Sequence, residues 1–248
     1  MTWHTDAVLA VLRLKKDEMR LKMVESRCGI LCGECEYMEK MNCDGCIYIE
    51  KPFWGDSCPV KDCCEGRGHS HCGQCPEFPC ELLNGFAYDK EQGDDGKRIE
   101  TCKTWRSKGQ EIIDKASRII NEATTDWVKG ICTLALIDKD GFPTASTLSL
   151  AKADGVKWLT FVTGLNSNKV WRIHKCNRAS VCFNAESYNI TLVGTIEILT
   201  DPQIKKDTWY EGCEHHFTGT DDPNYCVLYF VPHRYCLFIG DSEVEGTF

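Results

Sequence analysis

Long apolar runs are missing from this sequence, and none approaches the roughly 18 residues that a membrane helix needs. Basic residues are in deficit: 29 Lys and Arg stand against 37 Asp and Glu, for a formal net charge of -8. No Lys/Arg block is long enough to form a nucleic-acid-binding face, so neither nucleic acid nor membrane is expected as a partner. The N-terminus has no apolar core followed by a cleavage site, which predicts a cytoplasmic protein. Internal repeats, low-complexity tracts and a Gly-rich dinucleotide fingerprint are also lacking. What remains is a chain of 248 residues, 42% hydrophobic and 27% charged, an ordinary globular composition with room for one large domain or two small ones.

Cysteine breaks that ordinariness, with 18 residues. Twelve fall within the first 102 positions, and the other six (Cys132, Cys176, Cys182, Cys213, Cys226 and Cys236) are scattered singly. Without an export signal, closely paired cysteines read as metal ligands before disulfides. Composition therefore divides the chain into a Cys-dense front and an ordinary back. The expected boundaries are an N-terminal helix over 1–25, a Cys-rich domain over 26–104 and a second domain over 108–248.

The front begins with an amphipathic pattern over 6–25, where Val8, Leu9, Leu12, Met19 and Met23 recur near helical spacing. From Cys28 to Cys80 neither helical nor strand periodicity is clear, so metal rather than an apolar core is expected to hold the segment together. An exposed loop is expected over 89–97. The spacing is Cys28-x3-Cys32-x2-Cys35, Cys43-x2-Cys46, Cys58-x4-Cys63-Cys64 and Cys72-x2-Cys75-x4-Cys80. A two-residue spacer lets both thiolates of a knuckle face one metal. The candidate ligands are Cys28, Cys32, Cys35, Cys43, Cys46, Cys58, Cys63, Cys72, Cys75 and Cys80. Such a set suits tetrahedral zinc or an iron–sulfur cluster, and the three-thiol loop at Cys28–Cys35 favours [4Fe-4S] over zinc. A radical-SAM reading fails because Glu34 replaces the aromatic before the third Cys and no barrel of the needed size follows. His69 and His71 are expected in a solvated loop.

The run CGILCGEC, CDGC, CPVKDC and CGQCPEFPCELL resembles a widespread Cys-rich domain of anaerobic bacteria and archaea over about residues 26–84. One position departs from that family's pattern: Gly55 stands where it has Cys.

The back half opens with a helical stripe over 108–124, in which Ile112, Ile113, Ala116, Ile119, Ile120 and Ala123 share one face. Strands are expected over 130–138, 144–151, 156–163, 179–184, 190–199, 226–231 and 235–240, with short helices over 166–176 and 202–210. Asp-Lys-Asp-Gly at 138–141 signals a hairpin. Many strands with turn-length connections suggest a small β-barrel. Cys213-Glu214-His215-His216 is expected to be solvent-exposed, and the dispersed cysteines are expected to behave as small buried apolar residues.

The segments CTLALIDKDGFPTASTLSL, WLTFVTGLNSNKVWRIHKCNRASVCF, VGTIEILTDP and HHFTGTDDPNYCVLYFVPHRYCLF occur in this order. Through them, residues 110–248 resemble the pyridoxamine 5′-phosphate oxidase-like FMN-binding split barrel, in its general-stress-protein branch. The resemblance implies an α+β fold: an FMN-binding split β-barrel with flanking helices, beside a small Cys-rich metal-stabilised N-terminal domain. It also implies a homodimer with FMN bound at the subunit interface. Thr163, Ser167, Asn168 and Lys169 match the family's phosphate segment. They also gather after a strand at a helix start, where amide dipoles and a Lys charge converge on a phosphate. Phe161 and Val162 match backbone contacts to the flavin ring. Ser146, Thr147, Leu148 and Ser149 match the second strand lining it, with Ser146 where the family often has an Arg. Trp209, Phe217 and Asp221–Asn224 match segments covering the flavin from the partner subunit, with packing in the dimer or the barrel as the alternative.

No side chain stands out as a general acid or base, so the chemistry would be borne by the flavin. The expectation is an FMN-dependent oxidoreductase passing electrons to a small acceptor such as a quinone or nitro compound. A ferredoxin-like donor would feed it through an N-terminal iron–sulfur cluster. The alternative is a non-catalytic flavin- or tetrapyrrole-binding protein whose zinc module docks a partner.

Overall fold

The computed structural model describes residues 24–248, so the helix expected over 1–25 lies almost wholly outside the described residues. The chain divides into two compact units, Met1–Trp105 and Arg106–Phe248. Among the described residues, no helix is long and apolar enough to cross a membrane.

Among the described residues, the first unit holds three short helices, α1 (Tyr37–Lys40), α2 (Pro59–Gly66) and α3 (Glu81–Ala87). Single 3-10 turns form at Cys32–Glu34 and Cys72–Gln74, each ending on the second thiol of a knuckle. Pro59 starts α2 at a position where its missing N–H costs nothing. The apolar core is small: Val60, Leu83, Ala87 and Ile99 are buried, and half-buried Cys28, Cys58, Cys72 and Cys80 pack around them.

Helix α4 runs from Lys97 to Ala123, well beyond the stretch 108–124 expected from the sequence. Asp94 explains the earlier start, because its carboxylate accepts from the Arg98 N–H at 3.2 Å and pairs with the guanidinium at 2.8 Å. Ile99, Cys102 and Trp105 then carry the buried stripe into Ile112, Ala116 and Ile120.

The second unit is a curled antiparallel sheet of eight strands with flanking helices, a split barrel. Its strands are β1 (Ile131–Ile137), β2 (Pro143–Ser149), β3 (Lys152–Ala153), β4 (Leu159–Gly164), β5 (Arg178–Ala185), β6 (Tyr188–Leu199), β7 (Tyr225–Ile239) and β8 (Ser242–Thr247). The order is β2-β1-β5-β6-β7-β4-β3, with β8 on β7. Helices α5 (Asn168–Lys175) and α6 (Pro202–Thr208) fill the longer connections. Alternation places Leu134, Val181, Ile190, Leu192, Phe161 and Phe230 inside, all fully buried.

Two strands expected at 226–231 and 235–240 are one, β7. Proline ordinarily interrupts a ladder, but Pro232 sits at a register shift where Gly194 pairs with it and Val193 pairs with Arg234. The bulge absorbs the missing N–H. Gly194 is required there, since a Cβ would stand 1.9 Å from the Val231 carbonyl oxygen and 2.8 Å from Pro232 Cα. Gly194→Ala is expected to destabilise the barrel by roughly 2–4 kcal/mol. A urea unfolding midpoint indistinguishable from that of the unaltered chain would refute this.

Candidate functional site

In the second unit the site grows from two open strand edges. β3 pairs with β4 only at Thr160 and Leu159, whereas β7 follows β4 from Leu159 to Gly164. Along 161–164 one edge of β4 is therefore free of strand partners, and the backbone groups facing it are available to a ligand. The Phe161 side chain is fully buried, so Phe161 offers that edge only its backbone. At the other end of the sheet, β2 bonds only to β1 and curls to meet β4. Ser146 pairs with Leu134 and Leu148 with Cys132, both inward-facing, which sets Ser146 and Leu148 on the inner face and Thr147 and Ser149 on the outer. Burial pushes the Tyr210 phenol up.

Beyond β4 the chain turns into α5. Thr163 donates its hydroxyl to Ser167 Oγ at 3.2 Å, and Ser167 caps the helix by accepting from the Val170 N–H at 3.4 Å. Asn168 is exposed in the first turn, and Lys169 follows, half-buried. A cation in the first helical turn opposes the helix dipole. Among the described residues Lys169 nevertheless has no hydrogen bond or ion pair to offset it. These residues suit a phosphate: two hydroxyls, free helix amides and a charge awaiting an anion.

The turn into α5 is held from a distant part of the chain. Leu165 N–H donates to the Asn224 carbonyl at 2.6 Å and Asn166 N–H to Asn224 Oδ1 at 3.1 Å. The DDPN run at 221–224 was the available signal. Trp209 stacks edge-on to Tyr225 at 5.3 Å and packs with Val162 on the cluster of Cys213, Phe217, Tyr225 and Val227. Cys213 is thus buried, unlike its exposed neighbours Glu214, His215 and His216, because its 3-10 turn faces that cluster. Cys226 donates to the Thr163 carbonyl at 3.3 Å, and burial pushes its thiol up to about 11. Cys132, Cys213 and Cys226 are buried, whereas Cys176, Cys182 and Cys236 are only half-buried.

In the first unit the thiols crowd one another, Cys28 and Cys58 with Cys32 and Cys46, and Cys102 with both Cys28 and Cys72. Cys46 N–H donates to Cys32 Sγ at 3.5 Å. Burial pushes Cys32 up to about 12, with Cys46, Cys28 and Cys35 adding like-charge repulsion. Cys28 is raised by burial and also feels Cys58. Around Cys72 stand Cys64, Cys75 and Cys102: a hydrogen bond with Cys64, then burial, raise Cys72. Burial takes Cys102 up to about 12, with Cys72 adding to it. Arg67 donates to Cys75 Sγ at 3.6 Å. Cys64 and Cys102, outside the expected ligand set, are thus drawn in. His71 does not lie in a solvated loop: it is 2% exposed, its Nδ1 accepts from Gly73 N–H at 3.1 Å, and its ring meets Trp105 edge-on. Among the described residues, no three His, Cys, Asp or Glu side chains stand together in metal-binding geometry.

Comparison with known proteins adds the following. Residues 122–236 match the family described as pyridoxamine 5′-phosphate oxidase, and residues 24–85 match a protein family of unknown function, DUF3795. No curated protein matches the chain. Among solved structures, a protein related to general stress protein 26 of the pyridoxinephosphate oxidase family, from Clostridium acetobutylicum, is 25% identical. That match covers 56% of this chain and 95% of the other, with a TM-score of 0.48. General stress protein 26 from Bacillus anthracis is 17% identical, covering 53% and 98%, with a TM-score of 0.45. A heme binding protein from Mycobacterium smegmatis is 18% identical, covering 53% and 57%, with a TM-score of 0.42.

Proposed function

Starting from a chain whose residues 122–236 are a pyridoxamine 5′-phosphate oxidase-like domain, we propose that it binds FMN as a homodimer and reduces a small acceptor. The observation that carries this reading is Lys169, a half-buried cation at the start of α5 with no anion among the described residues. Thr163, Ser167, Asn168 and Lys169 would hold the phosphate. The open edge of β4 at Phe161 and Val162 would meet the ring, and the β2 backbone from Ser146 through Thr147 and Leu148 to Ser149 would line it, since those side chains alternate between the two faces. Bound there, FMN supplies hydride and single-electron chemistry. The protein's part is to bind, orient and keep water from the ring, with Val162 and Trp209 both packed on the cluster of Cys213, Phe217, Tyr225 and Val227.

The Cys-rich domain would hold a metal, with [4Fe-4S] favoured over zinc, each site drawing four ligands from the ten cysteines named from their spacing. Among the described residues its apolar cluster of Val60, Leu83, Ala87 and Ile99 is small, and crowded buried thiols are costly as thiolates until a cation joins them. A cluster there would let a reduced ferredoxin-like donor deliver electrons one at a time. The net reaction is two-electron reduction of a quinone or nitro compound, with protons from water.

Anaerobic purification tests both halves. A flavin absorption band together with iron and acid-labile sulfide is the expected result. Zinc in place of iron would leave the barrel to take electrons directly. A chain that arrives without flavin and takes up no added FMN would overturn the proposal.

A further inference from the structure

We infer that Lys205 is the positioning residue of the phosphate turn: through Asp222 and Asn224 it fixes the Leu165 and Asn166 amides that shape the turn leading into α5. This rests on the FMN reading and goes past it, since Lys205 stands outside every contact assigned to the cofactor. Lys205 lies on α6 and is 8% exposed. Burying an ammonium is costly, and among the described residues no carboxylate stands in ion-pair contact with it, although its charge helps to hold the Asp222 carboxyl below the usual range, after the hydrogen bonds that carboxylate accepts. Its Nζ instead donates to the Asp222 carbonyl at 2.9 Å and lies 5.3 Å from the centre of the Tyr225 ring. Tyr225 closes the loop, donating its hydroxyl to the Lys205 carbonyl at 3.2 Å and its N–H to the same Asp222 carbonyl at 3.1 Å.

From Asp222 the chain of contacts runs outward. Its carboxylate accepts from the Asn224 N–H at 2.8 Å, the Thr218 N–H at 3.0 Å and the Thr218 hydroxyl at 3.1 Å. Asn224 then receives Leu165 N–H and Asn166 N–H. The approach is so close that a Cβ on Gly164 would stand 2.7 Å from Asn224 Nδ2. Each link is a hydrogen bond between α6, the turn at 218–224 and the turn at 164–166, so the buried charge anchors a turn on which the Ser167 cap depends.

Two readouts separate this inference from the FMN reading. Amide hydrogen exchange at Leu165 and Asn166, measured without FMN, is expected to speed up about 10-fold in Lys205→Met. FMN affinity, read by flavin fluorescence, is expected to fall about 10-fold while riboflavin, which lacks the phosphate, is unaffected. Asn224→Ala is expected to do the same without disturbing the buried lysine, which covers a failure of Lys205→Met to fold. The double variant should lose no more than the larger single loss. Faster exchange in a protein that binds no FMN would sink the flavin reading and keep the anchor. Unchanged exchange in both variants would overturn the anchor whatever FMN does, and an equal loss of riboflavin would make Lys205 a general stabiliser of the fold.

Discussion

Lys169→Glu is expected to weaken FMN binding by about 100-fold and to leave riboflavin binding intact. A unit charge pair about 4 Å apart near a protein surface is worth about 4 kcal/mol, and salt screens part of it, leaving about 3 kcal/mol. Glutamate removes the attraction and adds repulsion in a turn where Thr163 and Ser167 remain able to bond the phosphate. Ser146 offers a hydroxyl where an arginine would share the load, so Lys169 carries more of the charge complementarity than it would beside a second cation. Lys175→Glu, exposed at the far end of the same eight-residue helix, is the matched control and should change affinity by less than about threefold. Titrating apoprotein with FMN and riboflavin, following flavin fluorescence, gives all the constants. Equal FMN affinity for Lys169→Glu and the unaltered chain would remove the phosphate from this turn.

Much of this geometry was legible from residue order. The apolar run from Ile131 to Ile137 and the Asp-Lys-Asp-Gly hairpin each name a local structure by local chemistry. The parts that did not read through depend on partners distant in sequence. β8 is polar, Ser-Glu-Val-Glu-Gly-Thr, and is a strand because β7 offers it a ladder. β7 continues through Pro232 only because Gly194 admits a bulge opposite it. His71 lies among Gly, Ser and Arg residues that spell a solvated loop, and Trp105, far along the chain, buries it. Lys205 reads as an ordinary helix-surface lysine until the turn at 218–224 folds over it.

The Cys-rich unit shows the same division, and it yields the prediction with the greatest effect on stability. Spacing names the thiols, but only folding shows that Cys32 and Cys46 approach through an N–H···S contact and that Cys64 and Cys102 sit beside Cys72. Among the described residues the cluster of Val60, Leu83, Ala87 and Ile99 is small, and each large buried side chain, at about 1.5–3 kcal/mol, offsets the ordering of only one or two residues, at about 1–2 kcal/mol per residue. A bound metal supplies what the core lacks, since structural zinc sites contribute apparent binding energies of about 10–16 kcal/mol. Cys32→Ser and Cys46→Ser are therefore each expected to lower the metal content per chain and to open residues 24–105 to limited proteolysis. FMN binding by the barrel should survive. Cys176→Ser, at the end of α5 in the other unit, should leave both metal content and cleavage unchanged. Elemental analysis and a trypsin time course read the two effects separately. If Cys32→Ser keeps its metal and its resistance, the Cys28–Cys35 loop is not the ligand set and the thiols around Cys72 are left to hold the metal. If both variants and the unaltered chain carry none, the apolar contacts around Val60 and Leu83 hold the unit together without it.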